Sequence, residues 1–271
     1  LPSCKLEAGA RPRRRAATEI IEMKKSGNTI LVTGGGSGIG RALAEAFHAA
    51  GNTVIVAGRR RAALDAVVAA NPGMAAIELD ATDPQAIEAF GREVVARFPG
   101  LNVLVNNAGI MQTENLRDPA FVATAEATIA TNLLGPIRLT AALLPHLETR
   151  ADATILNVTS GLAFVPFALT PTYSATKAAL HSWTMSLRHQ LKGTSVEAIE
   201  IAPPYVQTEL MGPHQAVDPR AMPLADFIAE TMAILGGDPT PAEVIVGRCE
   251  PLRHAERDGK TAEIFAALAA L

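Results

Sequence analysis

The sequence carries only two cysteines in 271 residues, Cys4 and Cys249. Two cannot build a disulfide framework, and the cytosol is the expected compartment. Neither has the neighbours of a metal site, so no metal is expected. No run of 18 uninterrupted apolar residues occurs, which gives no reason to expect a membrane-spanning helix. Basic excess is missing too: 24 Lys and Arg face 27 Asp and Glu, for a net charge of −3. No global positive field recruits nucleic acid. Charge itself is scarce, at 19% against 48% hydrophobic residues, which excludes a disordered chain.

The first 22 residues lack any apolar period. They hold Arg11, Arg13, Arg14 and Arg15, and only AATEIIE follows. A secretory signal needs an apolar stretch of about 7–15 residues, and a transit peptide is poor in acids. Glu7, Glu19 and Glu22 fit neither. Residues 1–23 are read as a disordered tail or a non-native extension, whose removal should leave folding and catalysis intact. Residues 24–271 are read as one domain.

From residue 28 the order is regular. Apolar runs at 28–33, 53–57, 75–79, 101–105, 153–158 and 195–201 alternate with helical patterns near 39–50, 61–70, 85–97, 113–148 and 171–191. Ile39, Ala42, Leu43, Ala46, Phe47 and Ala50 fall on one helix face, and Gly51 sits where a cap belongs. Asp83-Pro84 supplies an N-cap and a first-turn proline. Nearly continuous apolar strands alternating with helices predict an α/β fold. The expected form is a doubly wound parallel sheet, Rossmann-like, with six or seven strands, a helical substrate lid near 205–235 and a helical C-terminal end. Thr240-Pro241-Ala242-Glu243 reads as a capping box, predicting a helix over 241–248, with another over 261–270. Ligands in such sheets bind beyond the carboxyl ends of the strands.

The first strand ends in Thr33-Gly34-Gly35-Gly36-Ser37-Gly38-Ile39-Gly40, just before a helix. Glycines there permit positive φ and a close backbone approach to phosphate. The helix N-terminus offers free N–H groups to an anion. No Lys-Ser or Lys-Thr follows, so a triphosphate loop is excluded and a dinucleotide expected. The second strand ends in Gly58-Arg59-Arg60-Arg61 and lacks the acid that meets a free ribose 2′-hydroxyl. Arg59, with Arg60 in reserve, is expected to hold a 2′-phosphate instead. NADP(H) is the preferred cofactor and NAD(H) the alternative. No pair of histidines has metal-binding HExxH spacing, His146, His181 and His189 being scattered over helices. No G-x-S-x-G nucleophile turn is present.

TGGGSGIG at 33–40, NNAG at 106–109, Asn132 in ATNLLGP, Ser160 in NVTS and Tyr173-Ser-Ala-Thr-Lys177 occur in that order. Together, over roughly 28–210, they resemble the short-chain dehydrogenase/reductase family, and within it the DltE-like bacterial oxidoreductases. The resemblance implies that Thr33, Gly34, Ser37, Gly38, Ile39 and Gly40 surround the cofactor. It further implies that Asp80 and Ala81 meet the adenine, and that Asn106, Ala108 and Gly109 close over its ribose. Pro203, Val206 and Thr208 would cover the nicotinamide side. Asn132 would hold a water leading to Lys177, and Ser160 would orient the substrate oxygen.

Tyr173 and Lys177, four apart in a helix, share one face. A tyrosine near pKa 10 is a poor base at neutrality, and a nearby ammonium should lower that value. Tyr173 is therefore the expected acid/base, while Lys177 tunes it and binds the ribose. Leu162, Phe167, Tyr205 and Met211, with Ser160, are expected to line an apolar substrate pocket; Phe164 is expected to contribute to its character.

The expected reaction is hydride transfer between the nicotinamide and a small carbonyl or alcohol. An NAD-dependent alcohol dehydrogenase is the alternative. A non-catalytic NADPH-binding regulator is the alternative of another class. The resemblance also implies a homodimer or homotetramer.

Overall fold

The computed structural model describes residues 23–270. The arginine-rich segment before Met23 lies outside the described residues. Met23, expected to belong to the tail, is buried in the core beside Phe47 and Leu235. The packed chain therefore includes it.

Seven strands run in parallel: β1 (Thr29–Thr33), β2 (Thr53–Gly58), β3 (Ala75–Glu78), β4 (Leu101–Asn106), β5 (Ala153–Val158), β6 (Val196–Ala202) and β7 (Glu243–Ile245). Their spatial order is β3-β2-β1-β4-β5-β6-β7. The order reverses between β1 and β4, so the carboxyl ends of those strands open the crevice where such sheets take ligands. Alternation along the strands feeds two cores. Ile30, Val32, Val54 and Val56 face one side, which α1 (Gly38–Ala49), α2 (Arg61–Ala70) and α8 (Leu224–Leu235) cover with Leu43, Phe47, Leu64 and Phe227. Leu31, Ile55 and Leu104 face the other, covered by α3 (Pro84–Arg97), α5 (Gly135–Leu147) and the end of α6 (Pro171–Gln190). Burial on both faces is why the strands read as continuous apolar runs.

The expected local signals hold in two places. Asp83 caps α3 by accepting from Gln85 N at 2.8 Å, and Gly51 follows α1 at φ +84°. The long helix expected over 113–148 begins later, as α4 (Phe121–Ile129). Asn115 and Asp118 accept from Arg117 N and Ala120 N and fold the preceding residues into turns. Together Phe121–Leu147 is long and apolar enough to cross a membrane. Its α5 half is a core helix, with Leu139, Leu143 and Leu147 buried against the sheet, while in α4 Val122 and Ile129 are exposed.

The helix expected over 241–248 does not form. Residues 243–245 are instead β7, paired Glu200↔Glu243, Ile201↔Val244 and Ala202↔Ile245. The β-branched run Val244-Ile245-Val246 suits a strand, and the open edge of β6 gives it a partner. The edge pairing outweighs the local capping signal. Beyond it come α9 (Glu250–Arg253) and the expected terminal helix α10 (Thr261–Ala269). Between β6 and β7 the chain forms α7 (Pro213–Ala216) and α8.

Candidate active site

The glycine loop sits at the carboxyl end of β1, at the crevice. Gly34 and Gly38 have φ of +67° and +53°, conformations open to glycine. A Cβ on Gly40 would lie 2.4 Å from Gly34 O, so the loop folds tightly against its own helix. Ser37 begins α1 in extended conformation with no side-chain cap, and the first turn holds no acid. Uncapped N–H groups at a twelve-residue helix suit an anion. Thr208 faces this loop, its side chain 3.6 Å from where a Gly38 Cβ would stand. The residues present thus fit a dinucleotide pyrophosphate.

Two residues expected around the cofactor have side chains already engaged within the fold. Thr33 Oγ1 donates to Val105 O at 3.2 Å and accepts from Asn107 N and Ala108 N at 3.0 and 3.1 Å. One donor and two acceptor positions are all a hydroxyl has. Its hydroxyl ties the end of β1 to the NNAG turn rather than reaching a ligand. Asn106 is buried, and its amide donates to Thr140 Oγ1 and to Asn157 Oδ1 at 3.2 and 2.9 Å. Asn157 passes the chain on to Thr184 at 2.9 Å. The Asn106 side chain therefore bridges strands and helix inside the core. Ala108 and Gly109 remain at the crevice, with Gly109 beside Asn132 Oδ1.

Arg60 reaches across to the glycine loop and donates to Ser37 Oγ at 2.7 Å. Arg59 stands close enough to Asp80 to favour its charged form. The larger causes of that lowered carboxyl pKa are the bonds from Thr82 N and Thr82 Oγ1, at 2.9 and 2.7 Å. Ala81 packs beside Gly135. Arg59, Arg60, Ser37 and Asp80 therefore gather at the ends of β2 and β3.

The second cluster lies at the end of β5. Ser160 and Tyr173 are both buried, and the Ser160 hydroxyl lies near enough to the phenol to act to lower its pKa. Ser160 Oγ also accepts from Leu162 N at 3.1 Å, so it caps the following turn as well. Lys177 donates to Val158 O at 2.8 Å, and its ammonium stands 5.5 Å from the centre of the Tyr173 ring. The expected lowering of the tyrosine pKa is not what this setting produces. Burial pushes Tyr173 up to about 12, only partly offset by the nearby Ser160 hydroxyl. Burial also brings Lys177 down to about 8, with Glu200 acting to raise it. Desolvation penalises both charged forms and outweighs their proximity.

Asn132 occupies a π-helical turn, Ala130–Leu134, between α4 and α5. Gly135 N donates to Ala130 O there. Pro136 has no N–H to give to the Asn132 carbonyl, which removes the ordinary helical bond at this point. The Asn132 amide accepts from Ile110 N and donates to Ile110 O, both at 2.9 Å, and to Thr176 Oγ1 at 3.3 Å. Both of its N–H donors are thus spent clamping the post-β4 loop to α6. A water link to Lys177 would fall to the oxygens, including the backbone carbonyl to which Pro136 cannot donate.

Segment 203–208 crosses above the crevice. Pro203 O accepts from Gly161 N at 2.8 Å. Val206 is buried and bridges to Met222. Gln215, which no sequence motif marks, holds this segment by donating to Val206 O and Thr208 Oγ1 at 2.8 and 3.1 Å. Tyr205 is partly exposed and donates to Asp218 at 3.2 Å, and Arg220 is committed to the same carboxylate. Leu162, Phe167 and Met211 are half-buried. Phe164 turns away, edge-on to His181 at 5.1 Å and under Arg253 at 4.9 Å, which removes it from the apolar set expected around the substrate.

His181, expected to be one of several scattered histidines, has a buried acidic partner. Its Nδ1 meets the buried Glu200 at 2.7 Å. With Glu243 these groups come within 4.8 Å of one another. Only the folded sheet joins them, since β6 and β7 must pair first.

Residues 28–218 match the family model described as short chain dehydrogenase. A Bacillus subtilis relative, the uncharacterized oxidoreductase DltE, is 45% identical over 191 residues, covering 69% of this chain and 75% of the relative. Sulfoacetaldehyde reductase 2 of Chromohalobacter salexigens is 33% identical over 239 residues, 83% of this chain and 95% of that one. Among solved structures, a short-chain dehydrogenase from Streptomyces avermitilis superimposes with TM-score 0.77 at 32% identity, over 88% of this chain and 95% of that one. One from Burkholderia cenocepacia in complex with NADP gives 0.76 at 25%, over 91% and 99%. With the motifs, the sheet order and these likenesses in agreement, the chain belongs to the short-chain dehydrogenase family of oxidoreductases.

Proposed function

We propose that the protein transfers hydride between NADP(H) and a small carbonyl or alcohol substrate, with Tyr173 as acid/base. The observation that carries this is the buried cluster of Ser160, Tyr173 and Lys177, with the Lys177 ammonium 5.5 Å from the centre of the phenol ring. Bound nicotinamide supplies the hydride. A buried phenol with its pKa pushed up to about 12 keeps its proton at neutral pH, which suits proton donation to a carbonyl oxygen. Ser160 orients that oxygen. Lys177 holds the phenol side of the site positive, and with Tyr173 it faces the ribose.

Ser37, Gly38, Ile39 and Gly40 are proposed to carry the pyrophosphate on the α1 N-terminus. Arg59 and Arg60 take the 2′-phosphate, and Asp80 with Ala81 the adenine. Ala108 and Gly109 border the ribose, and Pro203, Val206 and Thr208 cover the nicotinamide side. Leu162, Phe167, Tyr205 and Met211 are proposed to border the substrate, under a lid at 205–235. NADP(H) preference is supported by the two arginines and by the NADP bound in the Burkholderia structure. A relative named sulfoacetaldehyde reductase supports a carbonyl substrate. The working compartment we propose is the cytosol. A homodimer or homotetramer is proposed on α4 and α6, where Val122, Ile129 and Met185 are exposed; a monomer by light scattering would refute it.

The test is an NADPH-oxidation screen over ketones, aldehydes and keto esters, repeated with NADH. Turnover with NADPH is expected. Binding of NADPH without turnover of any member would contradict the reading.

A further inference from the structure

We propose that Glu114 is a positioning residue: its carboxylate reaches from the loop after β4, caps the start of α6 and fixes the turn that carries Tyr173. This rests on the acid/base reading of Tyr173. The local sequence caps α6 poorly. Thr170 stands at the N-cap position without a side-chain cap bond, and Pro171 follows in the first turn. Proline has no N–H, so Thr172 N–H is the first donor of the helix that lacks an intrahelical acceptor. Glu114 Oε2 accepts from Thr172 N at 2.8 Å. That bond does the work of an N-cap side chain, from a residue 58 positions earlier. Glu114 N also donates to Leu169 O at 2.9 Å. Main chain and side chain of one residue thus grip the entry to α6.

Tyr173 lies between two such clamps. On one side is Thr172, held by Glu114. On the other is Thr176, whose Oγ1 donates to Tyr173 O at 2.7 Å and accepts from Asn132 Nδ2 at 3.3 Å. Asn132 in turn holds Ile110. Both clamps therefore run to one short loop, residues 110–114, at the carboxyl end of β4. Ser174 Oγ accepts from Phe167 N at 3.1 Å and donates to Thr170 O at 3.2 Å, which ties the helix start only to the residues just before it. Helix ends fray unless held, and Glu114 supplies the bond that sets the first turn of α6 against the crevice. The other carboxylate oxygen, Oε1, is buried without a hydrogen-bond partner among the described residues. That costs free energy, and the positive end of a twenty-residue helix offsets it.

Glu114→Ala removes the acceptor for Thr172 N, and Glu114→Gln keeps one. In single-turnover oxidation of bound NADPH by a carbonyl found by the screen, Glu114→Ala should slow the reaction about tenfold, with Kd for NADPH unchanged. Glu114→Gln should restore most of the rate. In a Tyr173→Phe background, Glu114→Ala should cost little further, because the group it positions is gone. A wild-type rate in Glu114→Ala, no rescue by Gln, or a loss that persists in full beside Tyr173→Phe overturns the proposal. A second measurement needs no turnover. By NMR, the Thr172 amide should exchange slowly in the wild type and about tenfold faster in Glu114→Ala, while amides in the middle of α6 keep their rates. Fast exchange of Thr172 in the wild type overturns the proposal without any variant, as does an unchanged rate in Glu114→Ala. A wild-type rate in Tyr173→Phe alone removes the acid/base reading; the clamp on Thr172 then stands or falls by its exchange rate.

Discussion

Lys177 and Tyr173 stand one helical turn apart on α6, the ammonium 5.5 Å from the centre of the phenol ring. Both are buried, and burial works against the charge of each. The site therefore stores an electrostatic cost at the residues that would do the chemistry.

That cost gives a stability prediction. Lys177 has a folded pKa of about 8, below its ordinary 10.5. Below about pH 8 the folded chain carries a charge that burial penalises. As pH rises from 8 toward 10.5, the unfolded chain binds more protons than the folded one, and stability rises. Lys177→Met should raise the melting temperature at pH 6.5, and the gain should shrink at pH 9.5. Calorimetry at both values checks this; a gain that grows with pH would refute it.

Arg59 and Arg60 are expected to act on the 2′-phosphate. Losing a charge-assisted bond costs about 1.5–3 kcal/mol, or roughly a tenfold to hundredfold rise in KM. Arg59→Ala should raise KM for NADPH by that much and leave KM for NADH little changed. Arg60→Ala should do the same, more weakly, since part of its reach is spent on Ser37. Steady-state kinetics with both cofactors decides it, and equal effects on both would remove the assignment.

Thr33 offers a contrast between a ligand and a strut. Thr33→Val leaves the N–H groups of Asn107 and Ala108 without their acceptor. An unpaired buried donor costs about 1–3 kcal/mol. Chemical denaturation should show a loss of that size, with KM for NADPH unchanged where the protein stays folded. A selective loss of cofactor affinity at unchanged stability would return Thr33 to the cofactor.

Much of this was legible because it is local. The six longer strands announce themselves as apolar runs, and α1 by its spacing from Ile39 to Ala50. The glycine loop and the Tyr173–Lys177 spacing are likewise short-range patterns. β7 was not legible: a three-residue strand exists because β6 leaves an edge, while Thr240 to Glu243 locally spells a helix start. The hydroxyl of Thr33 is claimed by a turn more than seventy residues away. The π turn at Asn132 had one visible signal, Pro136 four residues later. The Glu200–His181 pair had none, since it joins a strand to a helix across the folded sheet.

The acid/base role of Tyr173 is the centre of the account. The direct measurement is single-turnover oxidation of bound NADPH with a carbonyl substrate, in wild type and in Tyr173→Phe. The account predicts a fall of about a hundredfold or more in the rate, with NADPH affinity unchanged. A rate within a few-fold of wild type would contradict it.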